Sequence, residues 1–158
     1  LEARVPSLIN HLVGRPVHDN MEISYARLNG QYAAAVMLQR KFIGIHDYTD
    51  EAIRNKASIG LAEKVKIIVN DNPDPNALSP VEIDIHMKNG EKFSRRIETV
   101  YGNPQKPLSR EEHLAKFRRN WEVAKVGLIM ENAEKMIGAV DNLEKVTDIC
   151  ELIDLVTG

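Results

Sequence analysis

VEIDIHMKNGEKFSRRIETV, residues Val81 to Val100, decides the fold class. Val81, Ile83, Ile85 and Met87 alternate with Glu82, Asp84, His86 and Lys88, the period-2 pattern of a strand with one face buried. Asn89-Gly90 is the dipeptide of a two-residue type I′ turn, and Phe93 and Ile97 resume the apolar spacing on the return strand. Upstream, VKIIVND (Val65 to Asp71) is β-branched with apolar residues at Val65, Ile67 and Val69, a further strand pattern. NPDPNALSP between them is a loop by its proline and asparagine content. Three strands, at about 65–70, 81–87 and 91–100, predict a small, mainly antiparallel sheet.

Helices flank that sheet. Pro6-Ser7 followed by LINHLV predicts a short helix stopped by Gly14 and Pro16. ISYARLNGQYAAAVMLQRKF (Ile23 to Phe42) reads as a helix rich in small residues, apolar on most sides and buried, with Gly30 permitting a close backbone approach or a bend. DYTDEAIRNKASIGLAEKV reads as two short helices, the first capped by Thr49 or Asp50 and the second running from about Lys56 to Glu63. Beyond the hairpin, Ser109 with Glu112 three residues later forms a capping-box pattern opening a helix. Two more helices follow, at roughly 132–140 and 146–155, the last ending before Gly158. Helices, then sheet, then helices make an α+β fold rather than a βαβ repeat.

The composition narrows the partners. With 21 Lys+Arg against 23 Asp+Glu there is no basic excess to hold nucleic acid and no acidic tail. No apolar run approaches the ~20 residues of a membrane span, and no signal peptide opens the chain, so a soluble, cytoplasmic protein is expected. Cys150, the single cysteine, lies in an apolar-periodic stretch and is expected to be a buried structural thiol. His11, His18, His46, His86 and His113 are scattered without ligand spacing, so no metal is expected; His86 falls on the polar face of its strand. The chain begins at Leu1 rather than Met, which points to sequence upstream of it.

YGNPQKPLSREEHLAKF (Tyr101 to Phe117) is the one stretch that suggests a site. Gly102 and Asn103 turn the chain, Pro104 and Pro107 restrict it, and Lys106 stands beside the helix start after Ser109. A carboxylate arriving there would meet a cation and the positive end of a helix together; the plain alternative is a surface loop with a hydrated lysine.

The same stretch resembles the glycine–proline–proline–leucine–serine…lysine–phenylalanine segment of the MmgE/PrpD family, which includes 2-methylcitrate dehydratase, cis-aconitate decarboxylase and iminodisuccinate epimerase. NGQYAAAVML resembles the family's serine-x-x-tyrosine helix, with Tyr32 in the tyrosine place. LAEKVKIIVND and the hairpin after it resemble the family's strand, loop and hairpin, and MIGAVDNLEKVTDICELIDLV its two closing helices. The resemblance covers roughly Ile23 to Val156. Two departures stand out: Asn29 replaces the serine, and LQRKF (Leu38 to Phe42) replaces a leucine-aspartate-glycine turn.

The resemblance implies that residues 1–158 form the C-terminal α+β lid domain and closing helices of a lyase that works without a cofactor. The N-terminal helical domain, which carries most of the catalytic groups, lies outside the chain. It implies a small di- or tricarboxylate substrate, a homodimeric full-length protein, and dehydration of a 2-methylcitrate-like hydroxy acid as the leading reaction. Decarboxylation and epimerisation within the family, or a non-catalytic dimerising domain, are the alternatives. Tyr32 is the expected catalytic residue and Lys106 the expected substrate-binding cation.

Overall fold

The computed structural model describes residues 1–124 and 127–157, which divide into two compact units, Leu1–Pro107 and Leu108–Gly158. Gly158, the expected stop of the last helix, lies outside the described residues. The first unit contains β1 (Glu2–Val5), α1 (Ser7–Val13), α2 (Ile23–Arg27), α3 (Gly30–Arg40), a 3-10 turn (Ile45–Tyr48), α4 (Asp50–Ile53), α5 (Lys56–Ala62), β2 (Lys66–Val69), β3 (Val81–His86) and β4 (Lys92–Ile97). The second contains α6 (Arg110–Glu122), α7 (Met130–Asp141), a 3-10 turn (Leu143–Lys145) and α8 (Cys150–Thr157).

The fold is α+β as expected, with one strand more than the pattern shows. β1 enters the middle of the sheet, whose order is β2-β1-β3-β4; it runs parallel to β2 and antiparallel to β3. Its four residues, Glu-Ala-Arg-Val, are too few to display a period, and strand pairing rather than propensity holds them extended. The register puts Ala3 opposite both Ile67 and Ile83, so Ala3, Val5, Ile67, Ile83, Ile85, Phe93 and Ile97 share one face. Helices α1 and α3 pack against β2. Gly30 makes that approach possible, because a Cβ there would stand 2.8 Å from Ile67 Cδ1. At the other edge Phe93 remains 56% exposed.

The opposite face is charged. Arg4 on β1 donates to Glu82 at 3.1 Å and to Asp84 at 2.6 Å on β3, while β4 supplies Arg96 to Glu82, Lys92 to Asp84 and the Ser94 hydroxyl to Asp84. This cover leaves Asp84 only 6% exposed on a face that otherwise meets water. The hairpin is closed differently from expectation. Among the described residues Lys41 is the single non-glycine with positive φ, so Asn89 does not adopt the conformation that type I′ demands. Instead Gly90 N–H donates to Met87 O, Met87 N–H donates to Glu91 O, and Gly90 takes φ 90°. These bonds describe a three-residue loop ending in a left-handed glycine.

The expected long helix over Ile23 to Phe42 is two helices, broken at Leu28-Asn29. Asn29 becomes the N-cap of α3: its Oδ1 accepts from Tyr32 N–H at 2.8 Å and its amide donates to Arg15 O at 2.9 Å. Met21, Ala26, Tyr32, Val36 and Ile53 form the core between these helices. In the second unit Trp121 meets the Phe117 ring at a tilt and donates to Ile129 O, and Arg118 grips Glu134 with two bonds to join α6 to α7. Cys150 is exposed, contrary to expectation. Leu152 and Leu155 are the α8 residues that turn inward, and Cys150 lies two positions before Leu152, on the far side of the helix.

Candidate functional site

The chain after β4 turns sharply. Gly102 at φ 92° lets its N–H donate to Lys106 O at 2.9 Å, and Lys106 N–H donates back to Asn103 O at 2.8 Å. Asn103 Oδ1 also accepts from Gln105 N–H at 2.9 Å, so the Gly102–Lys106 loop is closed by its own backbone. This closure lays the Lys106 ammonium over the Tyr101 ring, 5.9 Å from its centroid. Beside it lies a cleft of about 520 Å³ with Val81, Ile97, Val100 and Tyr101 as apolar wall. Arg95, Arg96 and Lys106 line it as cations. Arg96 is already engaged by Glu82 and Glu98. Arg95 and Lys106 are the cations there that form no ion pair among the described residues. An anion with an apolar body fits this chemistry.

The second half of the expected anion site is arranged otherwise. Ser109 Oγ accepts from Glu112 N–H, and the Glu112 carboxylate accepts from Ser109 N–H at 2.9 Å, completing the predicted capping box. With Glu111 also in the first turn, the positive end of α6 is met by the helix's own carboxylates. Lys106 belongs to the unit that ends at Pro107, and Ser109 lies in the next. Within its own unit the cation draws its surroundings from β4 and Tyr101.

Tyr32 lies elsewhere in the first unit. It is 1% exposed at the centre of the core, its hydroxyl donates to Asp47 O at 2.7 Å, and its ring meets that of Tyr48 at 5.9 Å. Burial, with Asp47 close by, pushes its pKa up to about 12. Sequence reasoning missed the groups around it. Asp47 is 3% exposed; its carboxylate accepts from Gly44 N–H at 2.7 Å and from Arg40 at the end of α3. Arg40 sits in the stretch that departs from the leucine-aspartate-glycine pattern, and that departure was the available signal. The next residue, Lys41, takes φ 67° as C-cap, the place in which glycine is usual.

Residues 1–144 match the MmgE/PrpD C-terminal domain. The chain belongs to the MmgE/PrpD family. Curated relatives include the cis-aconitate decarboxylase of Mus musculus, 32% identical over 156 residues, which are 98% of this chain and 30% of that protein. The Homo sapiens cis-aconitate decarboxylase is 33% identical over 134 residues, 84% of this chain and 27% of that protein. The chain thus spans less than a third of the length of these relatives. Against the MmgE/PrpD pattern, Asn29 does what a serine would do at the same place, because either side chain accepts the N–H three residues on. His86 and Lys92 stand opposite each other on the charged face of the sheet, and among the described residues no group of three or more His, Cys, Asp or Glu could hold a metal ion. No helix among the described residues is long and apolar enough to cross a membrane.

Proposed function

We propose that this MmgE/PrpD domain is the carboxy-terminal part of a lyase acting on a small di- or tricarboxylate, completed by an upstream helical domain that brings most of the acids and bases. The observation that carries this reading is the similarity of nearly the whole chain to proteins named cis-aconitate decarboxylase. The cleft beside Tyr101 supports it, with Lys106 as the cation that meets a substrate carboxylate and the Tyr101 and Ile97 side chains against the carbon skeleton. The exposed Ile149 just before α8, Ile153 on α8 and Phe93 on the sheet suit a domain that packs against further chain.

Two reactions fit. Dehydration of a 2-methylcitrate-like hydroxy acid removes the proton α to a carboxylate and expels hydroxide from the neighbouring carbon. Decarboxylation of a cis-aconitate-like acid loses carbon dioxide and leaves a carbanion that takes up a proton. Both pass through an enolate-like anion, which fixed cations stabilise. The names of the relatives favour the decarboxylation.

The test is to assay the protein that joins this domain to its upstream helical domain against cis-aconitate and 2-methylcitrate, with and without Lys106→Gln. Turnover of cis-aconitate with carbon dioxide release, and a KM raised about tenfold or more by Lys106→Gln, is expected, since a charge-assisted hydrogen bond contributes about 1.5–3 kcal/mol. Turnover of neither acid overturns the reading. An unchanged KM in the variant removes Lys106 from it.

A further inference from the structure

Two contacts around Tyr32 point beyond packing. The Tyr32 hydroxyl donates a hydrogen bond to the backbone carbonyl of Asp47 at 2.7 Å, and the Asp47 side chain is itself held by two partners. One carboxylate oxygen takes Gly44 N–H at 2.7 Å, which closes the 3-10 turn Ile45–Tyr48 from its start, and the other takes Arg40. Arg40 is the last residue of α3, the helix that carries Tyr32. Tyrosine, turn and helix end therefore form one closed loop of contacts, with the carboxylate and the hydroxyl buried inside it.

We propose that Asp47, fixed by Gly44 N–H and Arg40, is a positioning residue that holds the Tyr32 hydroxyl aimed into the domain. The functional weight of this latch rests on the reading of Tyr32 as the MmgE/PrpD site tyrosine. Its existence does not. The groups that face the phenol are Asp47, Tyr48 and Arg40, and Arg27 in turn faces Tyr48. Of these the carboxylate and the guanidinium act on the phenol with opposite sign: negative charge opposes a tyrosinate, positive charge favours it. Held in this state, Tyr32 gives up its proton to another acceptor only after the turn moves.

Opposite signs supply a test that a merely structural role does not mimic. The chain is labelled at the tyrosine ring carbon bearing the hydroxyl, and its four tyrosines are titrated by NMR, with Tyr32→Phe assigning the signal. The native signal is expected to move near pH 12. Asp47→Asn is expected to bring it down by about one pH unit, and Arg40→Gln, which leaves the carboxylate held by Gly44 N–H, to push it further up, with Arg40→Lys close to native. Loosening of the fold alone would lower it in both variants. Midpoints that shift in the same direction, or stay in place, overturn the latch.

A second measurement separates the latch from the proposed function. In the protein that contains the upstream domain, Asp47→Asn is expected to shift the alkaline limb of the activity profile downward. If the NMR signs hold while that limb stays put, the latch stands and Tyr32 leaves the catalytic reading.

Discussion

At Lys41 a single residue shows how local cost and tertiary demand compete. The chain must leave α3 through a left-handed residue to begin the turn that Asp47 closes, and lysine does this at φ 67° although glycine does it without steric penalty. Lys41→Gly is expected to stabilise the chain by about 0.5–1 kcal/mol, read as a raised midpoint in urea. Tyr32→Phe should act the other way, costing about 1–2 kcal/mol near neutral pH because the Asp47 carbonyl loses its buried donor. Cys150 offers a simpler check: its thiol should react with a disulfide reagent in the native chain, without denaturant. Residue roles were unevenly legible. The Ser109–Glu112 box was readable because both partners lie within one helical turn. The partners of Tyr32 were not, because Asp47 is 15 residues away and only folding brings its carbonyl to the hydroxyl.

Elements whose signals are local came through with small differences at their ends. Val81–His86 and Lys92–Ile97 pair along six positions, as their alternation requires, yet the turn between them needed one residue more than the Asn-Gly dipeptide suggests. Gly90 is the residue that now carries the left-handed conformation, so Gly90→Ala should cost about 1 kcal/mol and raise amide exchange first at Met87 and Glu91. The split of Ile23–Phe42 into two helices follows from Asn29, whose side chain competes for backbone N–H groups and so favours a cap over a helix interior. β1 illustrates the opposite limit. An element of four residues has no readable period, and it becomes a strand only because β2 and β3 leave hydrogen-bonding edges on both its sides.

Across the whole chain, stability against pH should be bounded by two groups on different elements. Ser94 and Arg4 hold the Asp84 carboxyl well below the usual carboxylate range, so its contribution is complete above about pH 4 and is lost as pH falls below that. Tyr32 is pushed up to about 12, so its contribution is complete below about pH 10 and is lost as pH rises through 12. Thermal midpoints measured from pH 2 to 12 should fall at both ends, with Asp84→Asn flattening the acid limb and Tyr32→Phe the alkaline one. The α+β class, the hairpin and the caps were legible in the chain's order of residues, since each depends on residues close enough in the chain to interact before any long-range contact forms. Folding in three dimensions was needed to place β1 inside the sheet, to bury Asp84 on a charged face, and to lay Lys106 over Tyr101 in the cleft that Arg95 also lines. Those outcomes depend on strand order and loop closure, which distant segments settle together.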